Sequence, residues 1–277
     1  TIEGGGQALT NALAKRLLSL GGRVECNTRV TSIEVRDNRV VRVRTMGGEE
    51  YGTASAITNV NVPAVVSRMV GSDSFPPGYL KALGKLPRSL SVMQLQVGLD
   101  CSLAEAGIEH YLTTVFPDAD IDTCIRRQQR SMCPLGYSVT AHGITGDPYN
   151  LDTRPVVSVV GGVDASQWRT MRGKSYVNAK RQSARIMLDS LIEAYPRVRD
   201  HWVETDLATP RTFQRYTANP DGAIMGFAST IGSHRPLLSL SRIPVKGLHY
   251  AGAWTLRFGG MMQAMRAGAA AARKVIG

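Results

Sequence analysis

Aromatic side chains are scarce in this 277-residue chain, at 6%. Acidic residues are outnumbered, 22 Asp and Glu against 33 Lys and Arg. No apolar run approaches the roughly 20 residues that cross a bilayer as a helix, which excludes a helical span. No basic-then-apolar leader opens the chain. The four cysteines, Cys26, Cys101, Cys124 and Cys133, form no C-x-x-C pair, and the five histidines are isolated from them and from one another. That spacing predicts no zinc site, and a reduced, cytoplasmic protein is the expectation. Repeats of 20–50 residues and low-complexity tracts are also missing, which excludes solenoids and arrays. The first residues, "TIEGGGQAL", carry no initiator methionine, as in a piece of something longer.

What is present is a net charge of +11. It serves solubility, or it draws an acidic ligand or an anionic membrane face. Nucleic acid is not expected, because the basic residues are scattered and no recognition motif accompanies them. The densest basic cluster, "IRRQQR" at 125–130, has weak periodicity and is predicted to be a solvated loop.

Along the chain, Leu9, Leu13, Leu17 and Leu20 fall on one helical stripe that Gly21–Gly22 stops. "VECNTRVTSIEVRDNRVVRVRTM" alternates on both sides of Asp37–Asn38, which predicts a hairpin. A strand is expected near "SAITNV", broken at Asn61–Pro63, and helix over 64–86, interrupted by "FPPG". "SLSVMQLQVGLD" and "PVVSVVGGVD" read as strands, the second more buried. "YVNAKRQSARIMLDSLIEAYP" reads as an amphipathic helix ended by Pro196, with Val177, Ala184, Met187, Leu188, Leu191 and Tyr195 on its apolar face.

The chain closes with "GLHYAGAWTLRFGGMMQAMRAGAAAARKVI" (247–276): a short strand, a glycine turn and a helix of small residues. A helix opening on Gly259–Gly260 presents free backbone N–H groups, and with its dipole these favour an anion such as a pyrophosphate. Glycine admits close backbone approach. The small face of Ala264, Ala267, Gly268 and Ala271 permits tight packing on a sheet. A glycine turn that serves packing alone fits the same residues.

That segment resembles the C-terminal flavin-contacting segment of the phytoene desaturase, carotenoid isomerase and retinol saturase group, within the FAD-dependent amine-oxidase-like superfamily. Three further stretches agree in order. "GGGQALTNALAKRLLSLGGRVECNTRVTSIEV" is similar to the family's helix and hairpin, "ASAITNVNVP" to the strand and turn after it, and "TPRTFQRYTANPDGAIMGF" (209–227) to its "RYT…P.G…GF" segment. The resemblance implies an α/β fold. An incomplete Rossmann-like FAD domain would comprise residues 1–66 and 243–277, and a mixed-sheet α+β substrate domain, residues 67–242, would be inserted in it.

The family's opening strand and G-x-G-x-x-G turn are missing, and "GGGQAL" does not fit that pattern. The acidic residue usual after the terminal strand's glycine is also absent, since Ala253 follows Gly252; the desaturase-like branch often lacks it. By resemblance Val30 meets adenine through its backbone. Gly252 and Ala253 lie by the pyrophosphate and ribitol, and Gly259, Gly260, Met261 and Met262 lie near the flavin. Asn59 either meets the cofactor or only forms a turn. No catalytic acid or base stands out. Arg215 and Tyr216 read as a hydrogen-bonded anchor for a loop rather than as catalytic groups.

The resemblance thus implies an FAD-dependent oxidoreductase, a desaturase, saturase or isomerase, acting on carbon–carbon bonds of an isoprenoid or other lipophilic substrate. A basic surface would suit peripheral contact with a membrane. Two alternatives stay open: a flavin amine oxidase, which the shortage of aromatics disfavours, and a non-catalytic piece that needs a partner chain to hold FAD. An open sheet edge predicts pairing with an N-terminal partner or self-association.

Overall fold

The computed structural model of the chain describes residues 2, 5–128, 131–142, 154–255 and 260–277. Two compact units share it. One is formed by Glu25–Leu90 with Ala218–Gly277, the other by Thr1–Val24 with Ser91–Thr217.

Helix α1 (Gly5–Ser19) ends where Gly21, at φ 81°, turns left-handed and the Gly22 N–H returns to the Leu17 carbonyl at 3.0 Å, a glycine C-cap. The predicted leucine stripe is there, yet no α1 residue is buried, and Leu13, Leu17 and Leu20 are exposed.

Strands β1 (Val30–Arg36), β2 (Arg39–Thr45) and β3 (Glu50–Gly52) make an antiparallel sheet. Asp37 (φ 48°) and Asn38 (φ 60°) both take the positive φ of a type I′ turn, whose twist matches that of a hairpin. β4 (Ala56–Thr58) follows. Asn61 then caps the short helix α2 (Val62–Ala64): its Oδ1 accepts from the Ala64 N–H at 2.9 Å and its Nδ2 donates to the Ala218 carbonyl at 3.1 Å. Helix continues through a π-helical turn, Val65–Val70, and resumes after Pro76 as α3 (Pro77–Gly84), as the "FPPG" break predicts.

The other unit is built on β5 (Ser91–Leu99), β6 (Leu112–Val115), α4 (Ile121–Gln128), β7 (Tyr137–Ala141), β8 (Val156–Val163), α5 (Ser166–Arg169), α6 (Gly173–Ala194), β9 (Trp202–Ala208) and α7 (Pro210–Thr217). Its sheet runs β6-β7-β8-β5-β9 with every pairing antiparallel rather than mixed. One face of β5 (Met93, Leu95, Val97, Leu99) packs on β8 and on the α6 stripe of Met187, Leu188 and Leu191. Val177, placed on that stripe by periodicity, is exposed. "IRRQQR" is not a loop over its described part: residues 125–128 complete α4, whose start is organised by Asp120, with Oδ1 accepting from the Asp122 and Thr123 N–H groups. That local cap outweighs the weak apolar period.

The chain then returns through α8 (His234–Ser241) and β10 (Leu248–Tyr250) to α9 (Met261–Ile276). β10 lies parallel to β4, Leu248 opposite Ala56 and Tyr250 opposite Thr58. A second core joins Ile33, Val62 and Val65 with Leu237, Leu248 and Trp254. Residues about 190 positions apart in the chain (Val62 to Trp254) thus complete one hydrophobic cluster.

Candidate functional site: the β4–β10 corner

Two parallel strands end side by side, and the chain leaving each turns across the other. The Ala56 N–H bonds the Gly247 carbonyl and the Ala251 N–H bonds the Thr58 carbonyl, both at 2.8 Å. Beyond β4, the Val60 N–H is held by Thr58 Oγ1 at 3.2 Å. Beyond β10, the chain makes a 3₁₀ turn, Gly252–Trp254. Gly252 has φ 80°, and a Cβ there would overlap Asn59 Oδ1. Only glycine fits, for backbone and for space. Two expected cofactor residues, Asn59 and Gly252, are therefore in direct apposition, with Ala253 next along the turn.

The segment 218–227 supports this turn from beneath. Asn219 Oδ1 accepts from Trp254 Nε1 at 3.1 Å, and Asn219 Nδ2 donates to the Ala223 carbonyl at 3.0 Å. The Trp254 ring meets Phe227 edge-on with centroids 5.0 Å apart. Gly226, at φ 78°, lies so close to the Ala253 carbonyl that a Cβ would overlap it. Asp221 pairs with Arg88. Parts of three stretches that resembled one family, 56–61, 218–227 and 247–254, thus touch in space. Arg215 and Tyr216 sit on α7, the Arg215 guanidinium 5.7 Å from the Tyr216 ring centre, with Tyr216 exposed.

Helix α9 begins at Gly260, whose φ of 105° and ψ of 148° stand outside the range of L-residues. Among the described residues no side chain caps the helix, no acid occupies its first turn, and nothing lies within 4 Å of where a Gly260 Cβ would point. Helix geometry leaves its first amides without intrahelical partners, and their dipole favours an anion. Met261 and Met262 stand exposed on that turn, while Ala267 and Ala271 are buried on the packing face. Gly259 lies outside the described residues. Val30 is on the separate hairpin sheet, at the exposed start of β1 opposite Thr45.

Between α8 and α9, above β10, lies an apolar cavity of about 340 Å³ walled by Leu237, Leu240, Ala267 and Ala271, with His249 and Lys274 among its lining. Burial, then the nearby Lys274 charge, lower the His249 pKa and keep the imidazole neutral. Tyr250, also lining the cavity, lies 3.3 Å from the Tyr79 hydroxyl. Burial foremost raises both phenols above the ordinary tyrosine range. The folded protein thus holds both neutral after unfolded tyrosines, near pH 10, have ionised. Stability from this pair is complete below about pH 10 and is lost as pH rises further, by up to about 1.4 kcal/mol per pH unit and tyrosine. Urea midpoints between pH 9 and 11.5 should fall more steeply for the native chain than for Tyr79→Phe/Tyr250→Phe; equal slopes refute the coupling.

Comparison with known proteins gives this corner its context. The family model for flavin-containing amine oxidoreductases matches residues 1–276. Over 98 residues, 35% of this chain and 20% of the relative, it is 34% identical to a lycopene-forming phytoene desaturase of Pseudescherichia vulneris. Over 194 residues, 64% of this chain and 32% of the relative, it is 25% identical to an all-trans-retinol 13,14-reductase of Danio rerio. Among solved structures, a putrescine oxidase redesigned in cofactor binding superposes with a TM-score of 0.65 at 15% identity, covering 99% of this chain and 53% of that one. An oxidoreductase of Methanosarcina mazei gives 0.63 at 14%, covering 98% and 55%. Both show the same fold. The matched regions thus amount to a third or less of the curated relatives' length and about half of the solved ones. The family match spans nearly every residue: the chain belongs to the flavin-containing amine oxidoreductases, a family of FAD-dependent enzymes.

Proposed function

We propose that this protein serves an FAD-dependent oxidoreductase that adds hydrogen to, removes it from, or isomerises a carbon–carbon bond in an isoprenoid-like, lipophilic substrate. The observation that carries the reading is the first turn of α9, which opens on Gly260 and has no side-chain cap among the described residues. The two curated relatives, named for phytoene and retinol, direct the substrate class toward polyenes. The low aromatic content, 6%, agrees.

FAD would supply the redox chemistry on the carbon–carbon bond. The chain's own part is to bind and orient. The α9 amides, behind Gly260, favour an anionic group at the helix mouth. Gly252 admits the Asn59 side chain against its backbone, and so fixes the turn that carries Ala253 toward the cofactor. Met261 and Met262 offer soft apolar contacts there, and Val30 presents backbone at the hairpin edge. The cofactor side of the protein is then the unit of Glu25–Leu90 and Ala218–Gly277.

β4 and β10 have one strand neighbour each, one another, among the described residues. Parallel strands are normally flanked by further strands and covered on both faces. This supports completion by an N-terminal partner segment or by a second copy. The basic surface supports collection of substrate from an anionic membrane face in the cytoplasm; among the described residues no helix is long and apolar enough to cross a bilayer.

Spectroscopy of the purified chain tests this. Flavin absorbance that is released on denaturation is expected, either in the chain alone or once the N-terminal segment of a relative is supplied. A folded chain that ignores FAD in both settings overturns the cofactor reading. Turnover of amines with none of polyenes overturns the substrate reading while leaving the cofactor in place.

A further inference from the structure

Cys101 and His201 are a hundred residues apart in sequence, yet the fold sets them beside Asp100 at one end of the five-stranded sheet. The cause is local. β5 pairs with β9, Leu99 opposite Trp202, and a bulge between Gly98 and Leu99 shifts the register. Bulges re-aim the side chains that follow them. The Asp100 N–H then bonds the His201 carbonyl at 3.0 Å, locking the two segments together. His201 Nδ1 lies 3.0 Å from Asp100 Oδ1. One ligand atom from each of Asp100, Cys101 and His201 falls within 4.8 Å of the other two. The Cys101 side chain is buried, whereas Asp100 and His201 are open to solvent.

We propose that Asp100, Cys101 and His201 bind one divalent transition-metal ion, zinc by preference. In tetrahedral zinc sites, with bonds of about 2.0–2.3 Å, neighbouring N and O ligands are about 3.3 Å apart, and sulfur is about 3.6 Å from either. The Asp100–His201 pair already has that spacing within a few tenths of an ångström. The thiol sulfur lies within 4.8 Å of both other ligand atoms. The mixed S, N and O set suits zinc and disfavours magnesium and calcium, which take oxygen ligands. On binding, the thiol gives its proton to solvent, and thiolate and carboxylate together balance the dication. Glu105, fixed by the Ser102 N–H at 2.8 Å and Ser102 Oγ at 2.7 Å, adds negative field from the same loop. Three protein ligands leave the fourth position to water, and the ion clips the end of β5 to the start of β9. This reverses the expectation from cysteine spacing, and it is independent of the flavin site.

Cobalt(II) is the probe, added to the chelator-treated full chain. We expect one equivalent to bind with thiolate-to-metal absorption in the near ultraviolet, to be displaced by zinc, and zinc to raise the thermal midpoint. Cys101→Ser, nearly isosteric, removes the band. His201→Gln, at a half-buried position, weakens binding at least tenfold, since even outer-shell losses cost about 10–100-fold. Cys26→Ser, at an exposed thiol elsewhere, retains the band. Absence of the band in a chain folded by circular dichroism overturns the proposal. So does a band that survives Cys101→Ser, or one that Cys26→Ser abolishes.

Discussion

Replacing Gly252 by alanine is expected to lower stability by on the order of 2–5 kcal/mol and to eliminate flavin retention. Two costs combine. Left-handed backbone costs an L-residue roughly 1–2 kcal/mol, and Gly252 sits at φ 80°. The new methyl also overlaps Asn59 Oδ1, and overpacking typically costs about 1–3 kcal/mol. The two are separable. Asn59→Gly in the Gly252→Ala background removes the overlap and leaves the backbone strain, so the double variant should regain about half the loss. A urea-unfolding cycle gives the coupling; strict additivity would show that the two residues are not in contact.

The second large effect lies in the other unit. Trp168→Ala should cost about 3–5 kcal/mol, a large share of the 5–15 kcal/mol that a domain commonly holds. Trp168 is fully buried, its ring edge-on to Tyr176 with centroids 6.1 Å apart and its Nε1 3.4 Å from the Met132 carbonyl. Tyr176 in turn carries the Arg211 guanidinium at 4.6 Å and bonds Thr209 Oγ1 at 2.9 Å. Truncation therefore opens a cavity where α5, α6 and α7 meet. Trp168→Phe should recover more than half of the loss; equal midpoints for the alanine variant and the native chain would refute the packing role.

Legibility in the sequence tracks the range of the contacts involved. The hairpin was legible because Asp37–Asn38 is a local turn signal flanked by period-two alternation, and β5, α6 and the α9 segment announce themselves similarly. β3 and β6 are short, and β9 is exposed over its first five residues, so no periodicity marks them. The leucines of α1 have helical spacing, but spacing says nothing of whether a partner surface is there to cover them. Of the candidate site, Gly252 and Gly260 could be singled out as glycines at a strand-to-helix turn. That Asn59 faces Gly252, or that Asn219 holds Trp254, required the fold, because no local pattern encodes a contact between distant residues. Cys101 and His201 make the same point: metal motifs are recognised by short spacing, and a pair assembled by strand registry has none.

The interleaving of the two units has a consequence for biosynthesis. Val62 and Val65 lie in the first third of the chain, and the residues that seal their core, Leu248 and Trp254, come near its end. At a translation rate of about 5–20 residues per second, roughly 10–40 s pass between the appearance of the two halves at the ribosome. Throughout that interval the nascent segment carries a sticky surface it cannot yet bury, while residues 91–217 emerge with nearly all the strands of their own sheet in hand. Holdase chaperones therefore have a defined window and a defined client stretch on this polypeptide.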